Sequence, residues 1–236
     1  MEDKPLRKHR GQSARALAYT HILNAIVDGT YAPGTLLSES DLATHLNVSR
    51  QPVREAMILI ASNRLVTVRP QSGTYVAYID PEEVRQAQFI REAIEVSSLE
   101  LCTNIPPNDL DTLKDCIRQQ REATSREEFY PLDENFHRAL LTIPGNTNAW
   151  SLVTGAKAHL DRVRYLGLEG FRDIQRYVDD HANIVNALAG GDITTAQNAM
   201  RTHLRFVLDD LNHIRERYPE YFEPPKPGRR RERPTQ

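Results

Sequence analysis

Apolar residues recur at three- and four-residue spacing along most of the chain, and between residues 65 and 77 that pattern gives way to β-branched runs. The first stripe, through Leu17, Ile22 and Ile26, predicts a helix over 14–28, stopped by Gly29. A Pro33-Gly34 turn follows. Ser38-Glu-Ser-Asp41 fits a capping-box variant opening a short second helix, with Leu42, Ala43 and Leu46 inward. Ser49 is placed to cap a third helix over 50–63, whose inner side is Val53, Ala56, Met57 and Ile60. The runs Leu65–Arg69 and Thr74–Ala77, separated by Pro70-Gln-Ser-Gly73, predict a hairpin. Three helices and a hairpin make a winged helix-turn-helix over residues 14–79.

Asp80-Pro81 marks a boundary, and the pattern beyond it is helical throughout. Six segments are expected, at 82–104, 107–124, 126–142, 147–168, 172–189 and 193–216, divided by Pro106-Pro107, Ser125, Pro144-Gly145, Gly170 and Gly190-Gly191. Ser125-x-x-Glu128 is a second capping box. The expected fold is therefore mainly α: a winged head joined to an all-α six-helix bundle over 80–217. A bundle of that size can enclose a ligand pocket between facing helices. Residues 1–13 read as a flexible basic arm, and residues 218–236, rich in Pro and Arg, as a disordered basic tail.

Charge adds a modest asymmetry. The chain of 236 residues carries a net −2, but residues 1–78 hold nine Lys/Arg against six Asp/Glu. A basic head on an acidic body suits DNA binding by the head. In a helix-turn-helix the second helix of the pair enters the major groove by its N-terminal end. Here that end is Ser49-Arg50-Gln51-Pro52-Val53-Arg54, with Arg50 and Arg54 one turn apart. Arg reads guanine, Gln reads adenine, and Ser49 can bond a phosphate. Arg69 and Gly73 flank the hairpin tip that would reach the neighbouring backbone or minor groove. Two cysteines make no disulfide framework, no apolar run is long enough to cross a bilayer, and the N-terminus lacks the apolar core of a secretory signal. A cytoplasmic protein is expected.

The bundle carries one chemical anomaly. Asp133 and His137 share the apolar face of Phe129, Phe136 and Leu140; His181 lies in the stripe of Ile174, Val178, Ile184 and Val185; His203 lies in that of Met200, Leu204 and Val207. A lone core histidine is ordinarily just hydrogen-bonded. A buried carboxylate needs a partner, and three histidines converging on it suggest either a divalent cation or a His⁺–Asp pair. Asp/His3 ligation suits zinc first, and nickel, manganese or iron as alternatives. Arg91, one turn before Glu95, is either an ion-pair partner or a contact for an effector carboxylate, and Arg164 is a second such contact.

The stretch from Ala18 to Thr35, then Ser38-Glu-Ser-Asp-Leu-Ala and Val48-Ser-Arg-Gln-Pro-Val-Arg-Glu-Ala, resembles the GntR family of bacterial transcription regulators. The remainder resembles that family's FadR branch with its FCD ligand domain, and six helices point to the VanR-like subgroup. The resemblance covers about residues 14–217. It implies a homodimer on a pseudopalindromic operator, usually released by a metabolite; the family's effectors range over sugar acids, hydroxy-acids and fatty acyl compounds, and a metal with an arginine favours a small carboxylate or sugar acid. It further implies a metal held by an Asp-x3-His, a His and a His, a pattern met by Asp133, His137, His181 and His203. The Arg91-x3-Glu95 motif is common in the branch. Ser40 stands where some relatives place a DNA-contacting arginine, which puts one base contact in doubt.

The leading expectation is a metabolite-responsive repressor rather than an enzyme. The alternatives are a metal sensor, a bundle with a purely structural zinc, and a metal-dependent enzyme. The last is disfavoured because the chain has no phosphate loop, nucleophile motif or HExxH, and only Glu95 and Glu134 could be offered as a general base.

Overall fold

The computed structural model describes residues 13–169 and 174–222. The basic arm before Ser13, the separator at Gly170 and the Pro/Arg-rich residues after Phe222 lie outside the described residues.

In the head, α1 (Ala14–Val27) starts behind Ser13, whose Oγ accepts the Ala16 N–H at 3.2 Å, and buries Ala18, Ile22, Ala25 and Ile26. Gly29 stops it with φ +82°. α2 (Glu39–His45) is capped by Ser38, and α3 (Arg50–Ser62) buries Val53, Ala56, Met57 and Ile60. Ser49 occupies the N-cap position of α3, but its hydroxyl makes no capping bond, contrary to expectation. The predicted hairpin is present as β2 (Val66–Arg69) and β3 (Gly73–Val76), with Arg69 opposite Gly73. A third strand, β1 (Leu36–Leu37), pairs with β3 and makes the order β1-β3-β2. Two residues are too few to leave a strand signature in the sequence.

The six bundle segments are all helical, with differences at their ends. α4 (Pro81–Leu99) is capped by Asp80, whose Oδ1 accepts the Glu82 N–H at 2.8 Å. It closes at Leu99 instead of 104, because Glu100, Leu101 and Cys102 tighten into i→i−3 bonds. α5 (Pro107–Glu122) and α6 (Arg126–Thr142) follow. Ser125 caps α6 as expected, but Glu128 reaches past it to the Thr124 N–H at 2.8 Å. The segment expected at 147–168 is two helices, α7 (Ala149–Ala156) and α8 (Ala158–Gly167), broken at Lys157. The ammonium of Lys157 is buried between Glu134 at 2.5 Å and Asp161 at 2.6 Å, and these bonds hold the side chain at the break. α9 (Ile174–Ala189) and α10 (Ile193–Arg217) complete the bundle, which thus has seven helices among the described residues where six were expected, so the helix count that pointed to the VanR-like subgroup does not hold.

The chain does not end its order at 217. Residues 218–222, expected in the disordered tail, contain α11 (Pro219–Phe222). The Ile79 N–H donates to the Tyr221 carbonyl at 2.8 Å, and Phe222 packs with Ile79, Val84, Leu160 and Ile214. Apolar aromatic residues, not the basic ones, decide this part of the tail.

Head and bundle meet along α8. Ala158 joins the head's core, and Arg162, almost fully buried, donates to the Ala77 carbonyl at 2.8 Å. His159 accepts the Asp80 N–H at Nδ1 (3.3 Å) and donates from Nε2 to the Arg64 carbonyl (3.2 Å). Such a ring is neutral. Burial, followed by the Arg162 charge, pushes its pKa below the usual 6.5. Burial likewise lowers His137 and His181. In the unfolded chain these rings take up protons first. The metal-free protein should therefore be fully stable above pH ~6.5 and lose stability below it, by about 1.4 kcal/mol per pH unit for each proton. Urea melts between pH 7.5 and 5 should show that slope, shallower in His159→Gln. A flat profile would mean the rings already carry charge in the fold.

Candidate metal and effector site

The anomalous side chains come from three helices: Asp133 and His137 from α6, His181 from α9, His203 from α10. All four are buried, and one ligand atom from each lies within 4.8 Å of the others. His203 Nε2 sits 3.1 Å from His181 Nε2 and 3.3 Å from His137 Nε2. Asp133 oxygens lie 3.8 Å from His137 Nε2 and 3.7 Å from His181 Nε2.

The outer shell fixes the tautomers. The Gln120 amide donates to the Leu132 carbonyl at 3.2 Å, which turns its oxygen to His181 Nδ1 at 2.8 Å. Nδ1 of His181 is thus the donor, and Nε2 holds a lone pair facing the cluster. Glu95 does the same for His137, 2.6 Å from its Nδ1. Two inward lone pairs therefore flank His203 Nε2, which could donate a proton to only one of them. A cation satisfies all three nitrogens and the carboxylate at once, and carboxylate–histidine pairs of this kind support metal ligands. The donor set fits a divalent ion.

Buried ion pairs surround the cluster. Arg91 donates from Nε to Glu95 at 2.6 Å, while its buried Nη2 has no partner among the described residues. Arg164 pairs with Asp133, with Glu134 at 2.7 Å and with Asp161 at 3.3 Å. Burial would raise the Asp133 pKa, but Arg164, with His137 behind it, outweighs burial and holds the carboxylate ionised. Glu134 is similarly depressed: burial opposes ionisation, and Lys157 and Arg164 overcome it. Glu95 and Glu134 are thus occupied as counter-ions, and neither is free to act as a base.

The two residues proposed from sequence for an effector fare differently. Arg91 makes its ion pair yet keeps an unused donor, whereas Arg164 is fully engaged with three carboxylates. Sequence reasoning missed Gln120, Lys157 and Asp161. Gln120 continues the Leu113–Ile117 stripe of α5, so a polar residue in a core stripe was the available signal.

In the head, Arg50 is exposed at the start of α3, as a base-reading residue must be. Arg54 is less free than its sequence position suggests, because its guanidinium grips Glu39 of α2 at 3.1–3.2 Å. Gln51 donates to Glu55 at 3.0 Å. Arg69 lies over the Tyr75 ring, 4.7 Å from its centre, beside the tip. Gly73 has φ +126°, a conformation that excludes a side chain without strain.

Comparison with known proteins decides the family. Residues 15–76 match the model of bacterial regulatory proteins, gntR family, and residues 86–206 match the FCD domain. The chain belongs to the GntR family. It is 42% identical over 214 residues to an HTH-type transcriptional regulator of Streptomyces ambofaciens, covering 90% of this chain and 91% of that one. It is 36% identical over 208 residues to the HTH-type transcriptional repressor RspR of Escherichia coli K12, covering 86% and 91%. A GntR regulator from Rhodococcus sp. RHA1 superposes with a TM-score of 0.69 at 25% identity, covering 88% of this chain and all of that one (100%). Escherichia coli McbR/YncC shares the fold, with a TM-score of 0.73 at 17% identity and 88% and 99% covered. This GntR regulator is thus a DNA-binding transcriptional regulator and not an enzyme, with a winged head and an FCD bundle. No helix among its described residues is long and apolar enough to cross a membrane.

Proposed function

We propose that the chain is a cytoplasmic, homodimeric repressor whose bundle holds a divalent metal and whose operator affinity is changed by a small carboxylate or sugar-acid effector. The observation that carries this reading is the convergence of three imidazole Nε2 atoms on Asp133, next to an unpartnered arginine donor. Asp133, His137, His181 and His203 are the proposed ligands, with zinc the first choice and nickel, manganese or iron the alternatives. When bound, the ion would supply a Lewis-acidic centre able to accept effector oxygens. The Arg91 Nη2 group is suited to the effector's carboxylate, and Arg164 could join it by exchanging one of its carboxylate partners.

α8 offers the route to the head. One side of it carries Arg164 on the cluster, and the other carries His159 and Arg162 on the linker and on Arg64. An effector that moves Arg164 would then reposition the head, provided it binds the two arrangements unequally.

On DNA, Arg50 and Gln51 are assigned to base edges, Arg54 to a position set by Glu39, Ser49 to a phosphate through its uncommitted hydroxyl, and Arg69 and Gly73 to the wing. Arg50→Ala should weaken operator binding by about 1–3 kcal/mol at fixed salt and relax specificity at one position. Fluorescence anisotropy on the chain's own promoter would read this, and an unchanged Kd would remove Arg50 from the interface.

The same assay tests the whole reading. Zinc-loaded protein should lose operator affinity at least about fivefold when a suitable carboxylate is added. If chelation alone switches binding and no organic acid matters, the ion itself is the signal. If neither matters, the cluster is structural.

A further inference from the structure

Residues 223–236 carry five Lys/Arg against two Asp/Glu, and Arg229, Arg230, Arg231 and Arg233 fall within five positions. These arginines lie outside the described residues, but the point from which they leave the fold does not. α11 holds that point at the joint between head and bundle. The Ile79 N–H donates to the Tyr221 carbonyl at 2.8 Å, and Phe222 is buried in one apolar cluster with Ile79, Val84, Leu160 and Ile214. Tyr221 also touches the head itself. Its Oη stands 2.6 Å from where a Cβ on Gly29 would lie, just past the end of α1.

Chain geometry sets the reach from there. Ile79 is six residues from Gly73, which flanks the wing tip, so the tip lies at most about 22 Å from the joint. Arg229 and Arg233 stand seven and eleven residues beyond Phe222. Even at the ~3.1 Å per residue of a Pro-rich linker they reach about 22–34 Å, as far as the wing tip and past it.

Two surfaces could attract so basic a run. Residues 79–222 hold sixteen Lys/Arg against twenty-four Asp/Glu, but many of those carboxylates already sit in ion pairs, as Glu92 does with Arg205 and Glu134 with Lys157. Duplex DNA carries one charge per ~1.7 Å of its axis and releases counterions when arginine neutralises it. The denser charge wins, and the joint places the run beside the domain that docks on DNA.

We propose that the Arg229–Arg233 run is a second DNA-contacting surface, tied beside the head by α11 and bonded to the phosphate backbone that flanks the wing. Such contacts add affinity and fix position without reading bases. They depend on DNA binding by the head, not on the metal or the effector.

Replacing Arg229, Arg230, Arg231 and Arg233 together by Gln in the full chain tests this. Fluorescence anisotropy between about 50 and 200 mM salt is read on DNA from the chain's own promoter and on an unrelated duplex of equal length. Each lost phosphate contact should flatten the slope of log K against log salt by about 0.9, so two to four contacts flatten it by about 2–4. Affinity at ~100 mM salt should fall about tenfold or more, and by the same factor on both duplexes, because phosphate contacts are blind to sequence. The corresponding set of Arg→Lys changes keeps the charge and should keep the slope. Hydroxyl-radical footprinting should show protected backbone within about ten base pairs of the wing contact, and the Gln variant should lose it. An unchanged slope in a Gln variant of native melting temperature overturns the proposal. So does protection lost only at greater distance, or tighter DNA binding by the Gln variant, which would place the run on the acidic bundle instead.

Discussion

His181→Ala is expected to reduce zinc affinity by at least about 100-fold, more than the 10- to 100-fold typical of losing an outer-shell partner. His181 is fully buried, its Nδ1 is locked by Gln120, and its Nε2 lies 3.1 Å from His203. The substitution also leaves a cavity, so stability of the metal-free variant will fall for reasons unrelated to metal. The informative quantity is therefore the difference between zinc-loaded and chelated protein. In the native chain, zinc at about 1,000 times its Kd should add about 4 kcal/mol. In His181→Ala a 100-fold loss of affinity should cut that gain to about 1.4 kcal/mol or less at the same zinc concentration. Gln120→Leu keeps the ligand but frees the ring and the tautomer, and should show an intermediate loss. A His181→Ala protein that kept the native zinc-dependent shift in melting temperature would show that the cluster is a hydrogen-bonded core and not a metal centre.

Much of this was legible before any coordinates. The 3.6-residue stripes placed the bundle segments, though they joined α7 and α8 into one, and Ser38 and Ser125, expected as caps, do cap α2 and α6 because capping acts locally. The convergence of Asp133, His137, His181 and His203 could be anticipated, since each replaces an apolar residue in a stripe that must face the core. Three features were not legible, and each depends on distant partners. The bond that ties Lys157 down at the α7–α8 break comes from Glu134, a residue 23 positions away. The strand at Leu36–Leu37 exists only because β3 offers it an edge. The restraint on Arg54 comes from Glu39 on another helix. Local pattern reports which face is buried, but not which charges meet across helices.

Arg164→Met should be the most damaging single change among the buried charges of the metal-free protein. Its guanidinium balances Asp133, Glu134 and Asp161 together. Glu134 and Asp161 keep Lys157 when it is gone, but Asp133 is left with His137 and His181, whose pKa values burial lowers, and with the more distant charge of Arg91. Breaking a buried pair by removing one partner costs about 3–5 kcal/mol, because the remaining charge is stranded in a poorly polarisable interior. Asp133 would escape part of that cost by taking up a proton, so its pKa, now held down mainly by Arg164 against burial, should rise in the variant. A divalent ion would offer the carboxylate a different partner. Zinc should therefore rescue Arg164→Met more than it stabilises the native chain, by about 1 kcal/mol or more, a coupling of the size expected for groups in direct contact. Urea denaturation of both proteins, with zinc and with chelator, completes the cycle. Equal destabilisation in both conditions would mean that Asp133 does not meet the ion, and the carboxylate would then belong to the ion-pair network alone.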